Sequence, residues 1–176
     1  MAFLTQARSL LLVVAVLLPL SGFAQGNALE TRIKATFLYK FCQYVTWPSS
    51  QFDTADAAIV IAVVGDPYMA EELRLIVAGR VSNGRSMLVR QLQFGDPLEG
   101  VHMVFFGAGN RAQQEQNLPL LTVTESLDDN HAGMINFVLE HNKVRFDIAK
   151  HKAEQVGLRL SSQLLSVARR VNEGTD

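Results

Sequence analysis

One apolar run, residues 57–64, limits the possible fold more than any other stretch. It reads AAIVIAVV, is rich in β-branched residues and ends at Gly65. Such a short continuous run is typical of a strand covered on both faces, as in parallel α/β sheets. Asp66 and Pro67 follow it, a capping residue and a proline suited to the first helical position, and they predict a helix to about Val77. The run therefore predicts a βα unit.

The rest of the chain continues this alternation. Asn83-Gly84 is a strong turn signal, and His141-Asn142 lies between two strand-like runs that predict a hairpin. We expect strands at 87–92, 101–106, 120–123, 135–140 and 143–148, an extended segment at 158–160, and helices at 110–117, at 150–156 and from a Ser161 or Ser162 cap to about Val171. The prediction is a single-domain α/β layered sandwich with a mostly parallel central sheet, one antiparallel hairpin and helices on both faces.

The N-terminus resembles a secretory leader. Arg8 is the only charge before an apolar run at 10–20, and Gly22-Phe23-Ala24 gives a small-x-small cleavage site. We expect cleavage of residues 1–24, with an uncleaved membrane anchor as the alternative. Residues 25–176 then form one domain without a membrane span. The chain has 16 basic and 17 acidic residues, a balance that argues against nucleic acid as a partner.

The first helix of the mature chain is unusually aromatic. Asn27 as cap, with Glu30 three residues later, predicts its start, and Trp47-Pro48 predicts its end after about Val45. At helical spacing, one face carries Ile33, Phe37, Phe41, Tyr44 and Val45, and we expect that face to be buried. Tyr39 points the other way in this arrangement. We therefore expect Tyr39 and Trp47 to be available for a partner.

Cys42 is the only cysteine, so no disulfide can form within the chain. It lies beside Leu38 at the edge of the apolar face. A redox sensor and a disulfide between two chains are alternatives, but we favour a buried thiol because free cysteine is among the most buried residue types.

Two adjacent strand ends form the most suggestive site. Gly107 and Gly109 belong to a G-x-G-x-x-A pattern that ends at Ala112, with Glu125 placed as in dinucleotide sites. The unit lies mid-chain and its helix is short, so we interpret it as a strand-to-helix turn and expect no cofactor. Its amides remain candidates for another anion. Together with Gly65 and Asp66, the two glycines make a candidate ligand or anion site.

No catalytic or metal constellation is predicted. Glu140, His141, Asp147 and His151 lack the spacing of a zinc ligand set, and neighbouring hairpin residues point to opposite faces. The Ser161-Ser162 pair lacks the context of a nucleophile elbow and is typical of a helix cap. We therefore expect a protein without enzymatic activity.

Five blocks of the chain resemble one family in the same order: LETRIKATFLYKFCQYVTWP, VVGDPY, VSNGR, GMINFVLEHNKVRFDIA and GLRLSSQLLSVARRV. They are similar to YfiR-like proteins, and the resemblance covers nearly all of the mature chain. It implies a periplasmic α/β protein that dimerises, has no catalysis of its own, and represses an inner-membrane diguanylate cyclase through the cyclase's periplasmic sensory domain. Cyclic di-GMP and biofilm formation would fall. The characterised kind carries several cysteines in disulfides, and this chain departs from it with Cys42 alone.

Three hypotheses follow for function, the third weaker than the others. The first is this repressor, relieved by a signal that shifts the binding equilibrium, with Tyr39, Trp47, Arg159 and Arg169 as candidate partner-binding residues because interfaces favour such anchors. The alternative is a periplasmic small-molecule binding protein with its pocket at the strand carboxyl ends, for a nucleotide, an aromatic amino acid or a cell-wall fragment. A hydrolase of cell-wall fragments is a weaker third possibility.

Overall fold

The computed structural model describes residues 21–107, 119–125 and 133–174, and their side chains from residue 27 onward. A mostly parallel sheet of eight strands runs through this part of the chain, in the order β10-β8-β7-β6-β5-β2-β4-β3. The predicted fold class is confirmed. The strands of the large sheet are β2 Ile59–Val64, β3 Val81–Ser82, β4 Arg85–Leu92, β5 Met103–Phe106, β6 Leu121–Glu125, β7 Ile135–Glu140, β8 Lys143–Ala149 and β10 Arg170–Asn172.

Four helices and a small second sheet complete the described fold. A two-stranded antiparallel sheet pairs β1 Val45–Thr46 with β9 Arg159–Leu160. A short 3-10 helix spans Ser49–Gln51. The helices are α1 Ser21–Tyr44, α2 Pro67–Val77, α3 Lys150–Gln155 and α4 Ser162–Val167. The predicted helix at 110–117 lies outside the described residues.

The apolar run forms β2, near the middle of the sheet, between β4 and β5. Five of its six residues are buried, as expected for a strand covered on both faces. Asp66 caps α2 by accepting a hydrogen bond from the Met69 amide at 2.9 Å, and Pro67 takes the first helical position. The βα unit is confirmed.

Both predicted turns are also confirmed. Asn83 and Gly84 have positive φ angles of 51° and 79° in the turn between β3 and β4. His141 and Asn142 have φ angles of 48° and 59° between β7 and β8, which pair antiparallel from Ile135 to Glu140. Two successive residues in the left-handed region match the twist of a hairpin.

The sheet separates two apolar clusters. The larger holds alternate residues of β2, β5, β6, β7 and β8, and all four described helices contribute buried residues to it. The smaller lies on the opposite face, where Leu98 and Val101 pack on Ala62, Val104 and Phe106. Among the described residues, no helix contributes to this second cluster.

Helix α1 differs from its prediction at its start and in its buried face. It spans Ser21–Tyr44 in the described part of the chain, so Asn27 lies inside the helix and does not cap it. Elongating an existing helix is easier than starting one, so residues 21–26 continue the helix ahead of Asn27. Ile33, expected to be buried, is 36% exposed. Phe37 and Phe41 do face the core and contact the Phe137 and Phe146 rings at centroid distances of 5.1–6.1 Å.

The last helix is shorter than predicted. Helix α4 begins after Ser161, whose hydroxyl accepts a hydrogen bond from the Leu164 amide, and it ends at Val167 instead of Val171. The chain then becomes extended, and β10 pairs parallel to β8 with Arg170 opposite Asp147. Pairing with a sheet edge and with a buried carboxylate outweighs the helical spacing of the apolar residues.

Candidate functional site

The two aromatic residues expected on the surface are buried. Tyr39 is 7% exposed, and its hydroxyl oxygen accepts a hydrogen bond from Gln43 Nε2 at 2.8 Å. Trp47 is 6% exposed, and its indole Nε1 donates to the His102 carbonyl at 2.8 Å. The expectation of exposed rings was wrong. Helix α2 packs beside α1 and covers a second side of it, and Trp47, which follows α1, packs against His102. A partner could reach either ring only after local opening.

The two arginines proposed with them have different environments. Arg159 is exposed on β9. Arg169 is half-buried and binds Asp147 in a fork, with Nε 2.8 Å from Oδ1 and Nη2 2.6 Å from Oδ2. Arg170 Nε donates to the same Oδ2 at 3.2 Å. Arg169 thus fastens the C-terminal segment to the hairpin, and only Arg159 matches the expectation of an open surface cation.

Asp147 is the buried centre of this arginine pair. Its side chain is 4% exposed. Burial alone would raise its pKa, but hydrogen bonds from Arg169 and Arg170 and their positive charges outweigh it, so the pKa of Asp147 lies below its usual value. The carboxylate therefore stays ionised at neutral pH. It binds Arg170, the first residue of β10, and Arg169, the residue before it.

A cavity of about 690 Å³ lies next to this arginine pair. Its lining includes the buried Asn136 and Asp147 together with Lys152, Arg170 and Glu173. Asn136 Oδ1 accepts a hydrogen bond from the Thr124 hydroxyl at 2.7 Å. Sequence reasoning did not find this cavity, since its walls come from four separate elements with no shared motif. Its mixed charges suit a polar or zwitterionic molecule.

The two strand ends of the predicted site are adjacent where the structure describes them, but the charge around them does not suit an anion. Gly65 and Asp66 follow β2, and the Gly107 amide donates to the Val64 carbonyl at 3.1 Å, so the two strand ends are adjacent. Gly109 lies outside the described residues. The Asp66 carboxylate already occupies the amino end of α2, the place an anion would take.

The neighbouring cavity, about 740 Å³, is acidic. Its lining residues include five carboxylates and a single cation, Lys34. Lys34 is 6% exposed and pairs with Glu30 and with Glu125, the latter at 2.6 Å. Glu125, the acid that a dinucleotide site would need for a ribose, therefore holds a lysine. The lining repels anions such as nucleotides.

A histidine that sequence reasoning passed over organises the opposite end of the sheet. His102 is buried, and its Nδ1 accepts a hydrogen bond from the Val60 amide at 3.1 Å while Nε2 lies 3.0 Å from the Gln51 carbonyl. The Phe52 ring stacks on the imidazole at 4.5 Å, and Arg85 lies 3.7 Å over the same phenyl ring. Burial is the main cause that lowers the pKa of His102.

The described residues offer little for catalysis. No group of three or more His, Cys, Asp or Glu side chains could hold a metal in the part of the chain that the structure describes. Cys42 is fully buried, as expected, and burial raises its pKa to about 12, so it is not a thiolate nucleophile. His141 is exposed in its turn. Within the same residues, no helix is long and apolar enough to cross a membrane.

Comparison with known proteins identifies the family of the chain. A family model described as YfiR/HmsC-like matches residues 31–169. No curated protein matches the chain. The matched range contains the β2–α2 unit, the β7–β8 hairpin and Arg169, and it covers well over half of the chain. The protein therefore belongs to the YfiR/HmsC-like family.

Proposed function

We propose that this protein is a periplasmic repressor that binds the periplasmic sensory domain of an inner-membrane diguanylate cyclase and holds it inactive. The observation that carries the proposal is the family match over residues 31–169. Membership in a regulatory, non-catalytic family fits a regulator of such a cyclase. Repression then needs only differential binding, in which the inactive arrangement of the cyclase is favoured.

The solvent-facing side of α1 and α2 is our candidate partner surface. Leu29 and Ile33 are exposed one helical turn apart on α1, by 61% and 36%. Tyr68 and Leu75 are exposed two turns apart on α2, by 81% and 64%. An ion pair joins the two helices on this side, with Arg32 Nε 3.2 Å from Glu72 Oε2. We name these four apolar residues the α1–α2 surface.

This surface has the composition of a protein interface. It combines an exposed tyrosine with aliphatic side chains and lies beside the exposed Arg32, whereas single exposed apolar residues elsewhere need no explanation. It replaces Tyr39 and Trp47, whose rings belong to the core. We retain Arg159 as a proposed contact because its side chain is exposed, although no described contact links it to the α1–α2 surface.

Deletion of the gene tests the function. Cyclic di-GMP should rise and the intact gene should restore it, while a membrane cyclase should co-purify with the protein. Unchanged cyclic di-GMP together with no co-purifying cyclase contradicts the proposal.

Matched variants test the surface. Tyr68→Ser combined with Leu75→Ser should keep the folding stability and lose repression. Leu139→Ser is the control, since Leu139 is also a leucine of similar exposure, 57%, but lies on the β7–β8 hairpin. Equal repression by both variants would contradict the α1–α2 surface without contradicting repression.

As a second proposal, the cavity of about 690 Å³ binds a small molecule that acts as a signal. A polar cavity beside a buried carboxylate and two arginines has the convergent polar groups of a ligand site. A thermal-shift screen with aromatic amino acids, nucleotides and cell-wall fragments tests it. A binder should lose its effect in an Asn136→Ala variant, and a flat screen counts against this second proposal.

A further inference from the structure

One edge of the large sheet is open along most of a strand. β4 pairs with β2 over Met87–Leu92 on one side. On its other side, β3 pairs only with Arg85 and Ser86. Among the described residues, no strand pairs with 87–92 on this outer side. Sheet edges of this kind present unpaired amides and carbonyls to any extended chain that can reach them.

The direction of the backbone groups follows from one hydrogen bond. The Gly65 amide donates to the Leu92 carbonyl, so Leu92 faces β2. Because neighbouring residues of a strand point their amides and carbonyls to opposite sides, Leu88 and Arg90 also face β2. The backbone amides and carbonyls that point outward, to the open edge, are therefore those of Met87, Val89 and Gln91.

We propose that this edge pairs with the same edge of a second copy of the chain, antiparallel, with Val89 opposite Val89 of the other copy. This pairing does not depend on repression of the cyclase. The two sheets would become one continuous sheet across a two-fold axis, the symmetry of most dimers.

The boundaries of the open stretch select this register. In an antiparallel pair, backbone hydrogen bonds form only where the two opposed residues both direct their amides and carbonyls toward the other strand. Centring on Val89 pairs Met87 with Gln91 of the other copy and uses all three outward residues, for about six backbone hydrogen bonds. A shift of the register by two residues in one direction would require Arg85 as a pairing residue, and Arg85 is already paired with Ser82. A shift in the other direction would require Gln93, which lies beyond the end of β4.

Both ends of the stretch suit a second copy. β3 blocks the edge beyond Ser86. The incoming strand must therefore turn away after its own Leu92, and the chain does turn there, because the Gln93 amide bonds the Asp96 carboxylate at 2.8 Å and the Asp96 amide bonds the Gln93 carbonyl. A long extended peptide from another protein would have no such reason to stop.

Side chains on the outer face agree with the register. Leu88 is 56% exposed and would lie opposite Arg90 of the other copy. The aliphatic part of an arginine can cover a leucine while its guanidinium stays in water. The two Arg90 residues would be two positions apart along the strand, about 7 Å, and their long side chains can separate the guanidinium groups in water, where screening weakens the repulsion.

Single cysteines test the register. In the proposed pair the two Val89 Cα atoms lie about 5.5 Å apart, within disulfide range. Val89→Cys should therefore give a covalent dimer under mild oxidation. Gln91→Cys is the matched control, since its copies would be about 13 Å apart and should not cross-link. Cys42 stays in both variants because it is buried, and the unchanged chain should give no covalent dimer.

Sedimentation of the unmodified protein and of Val89→Pro completes the test. Proline at 89 removes an outward amide and leaves the hydrogen bonds to β2 in place, so the dimer should be lost while the monomer still folds. Val89 also packs on the core, and a small decrease in thermal stability is therefore expected. A monomeric unmodified protein, or cross-linking of Gln91→Cys as readily as Val89→Cys, overturns the proposal. If Val89→Pro fails to fold, the cysteine pair decides. Cyclic di-GMP is also measured in the Val89→Pro strain. This measurement tests the proposed repression separately from the loss of the dimer.

Discussion

The Lys34 ammonium lies 2.6 Å from the Glu125 carboxylate, although 91 positions separate the two residues. The lysine side chain is 8% exposed, and it also pairs with Glu30 in its own helix. One buried cation therefore links α1 to the end of β6 and offsets part of the charge of an acidic cavity.

Replacing this lysine should destabilise the fold. In Lys34→Met, Glu30 and Glu125 face each other without a cation, and we expect the free energy of unfolding to fall by about 1–3 kcal/mol, below the cost for a fully buried pair because both carboxylates reach water. Urea unfolding measures it. Adding Glu125→Gln should recover part of the loss, and no recovery would contradict the pairing.

Stability should depend on the protonation of His102. The fold lowers the pKa of this histidine, so the unfolded chain binds its proton more readily. The stabilisation is therefore complete above the ordinary histidine pKa, about 6.5, and is lost as the pH falls through the folded value. Urea unfolding at pH 7.5 and at pH 5.5 should show the decrease.

Two variants test whether His102 causes that decrease in stability. His102→Gln should lower the stability at pH 7.5 and remove most of its dependence on pH between these values. His141→Gln is the control, because His141 is exposed in the β7–β8 turn. The prediction fails if His102→Gln keeps the full dependence on pH.

The fork between Arg169 and Asp147 should require arginine. Arg169→Lys keeps the charge but loses one of two parallel hydrogen bonds, and we expect a loss of about 1–2 kcal/mol in the free energy of unfolding. Arg159→Lys, at an exposed arginine, should change it by less than about 0.5 kcal/mol. Equal effects in the two variants would mean that the fork adds no stability.

Cys42 should be unreactive in the folded protein. Its thiol is fully buried and its pKa is raised to about 12, so the thiolate that reacts is both rare and inaccessible. A thiol reagent should modify it only after denaturant unfolds the chain. Rapid modification of the native protein would show that α1 opens locally.

Local chemistry made most of the fold predictable. Asp66-Pro67 and the two residues of each turn determine their own backbone angles, and the structure confirms all three features. The errors lie where distant residues decide. Tyr39 looked exposed because a helical projection cannot show α2 beside α1, and α4 ended early because Arg170 pairs with Asp147 across the sheet.

The candidate site was predictable only in part. The adjacency of Gly65, Asp66 and Gly107 followed from parallel strand order. The charge around them did not, since it comes from acids on separate elements, among them Glu30 of α1 and Glu72 of α2. The open edge of β4 was likewise hidden, because it depends on how short β3 is.

The aromatic contacts of α1 impose an order on folding. Phe37 and Phe41 pack against Phe137 and Phe146, about a hundred positions later in the chain. A chain synthesised from its amino end can pair β2 with β4 and β5 early, because these strands follow one another closely. The first helix instead remains without its aromatic partners until the last hairpin has emerged. Helix α1 can pack on α2 early, but its phenylalanine rings reach their native contacts late, and they are where a chaperone would find exposed aromatic surface.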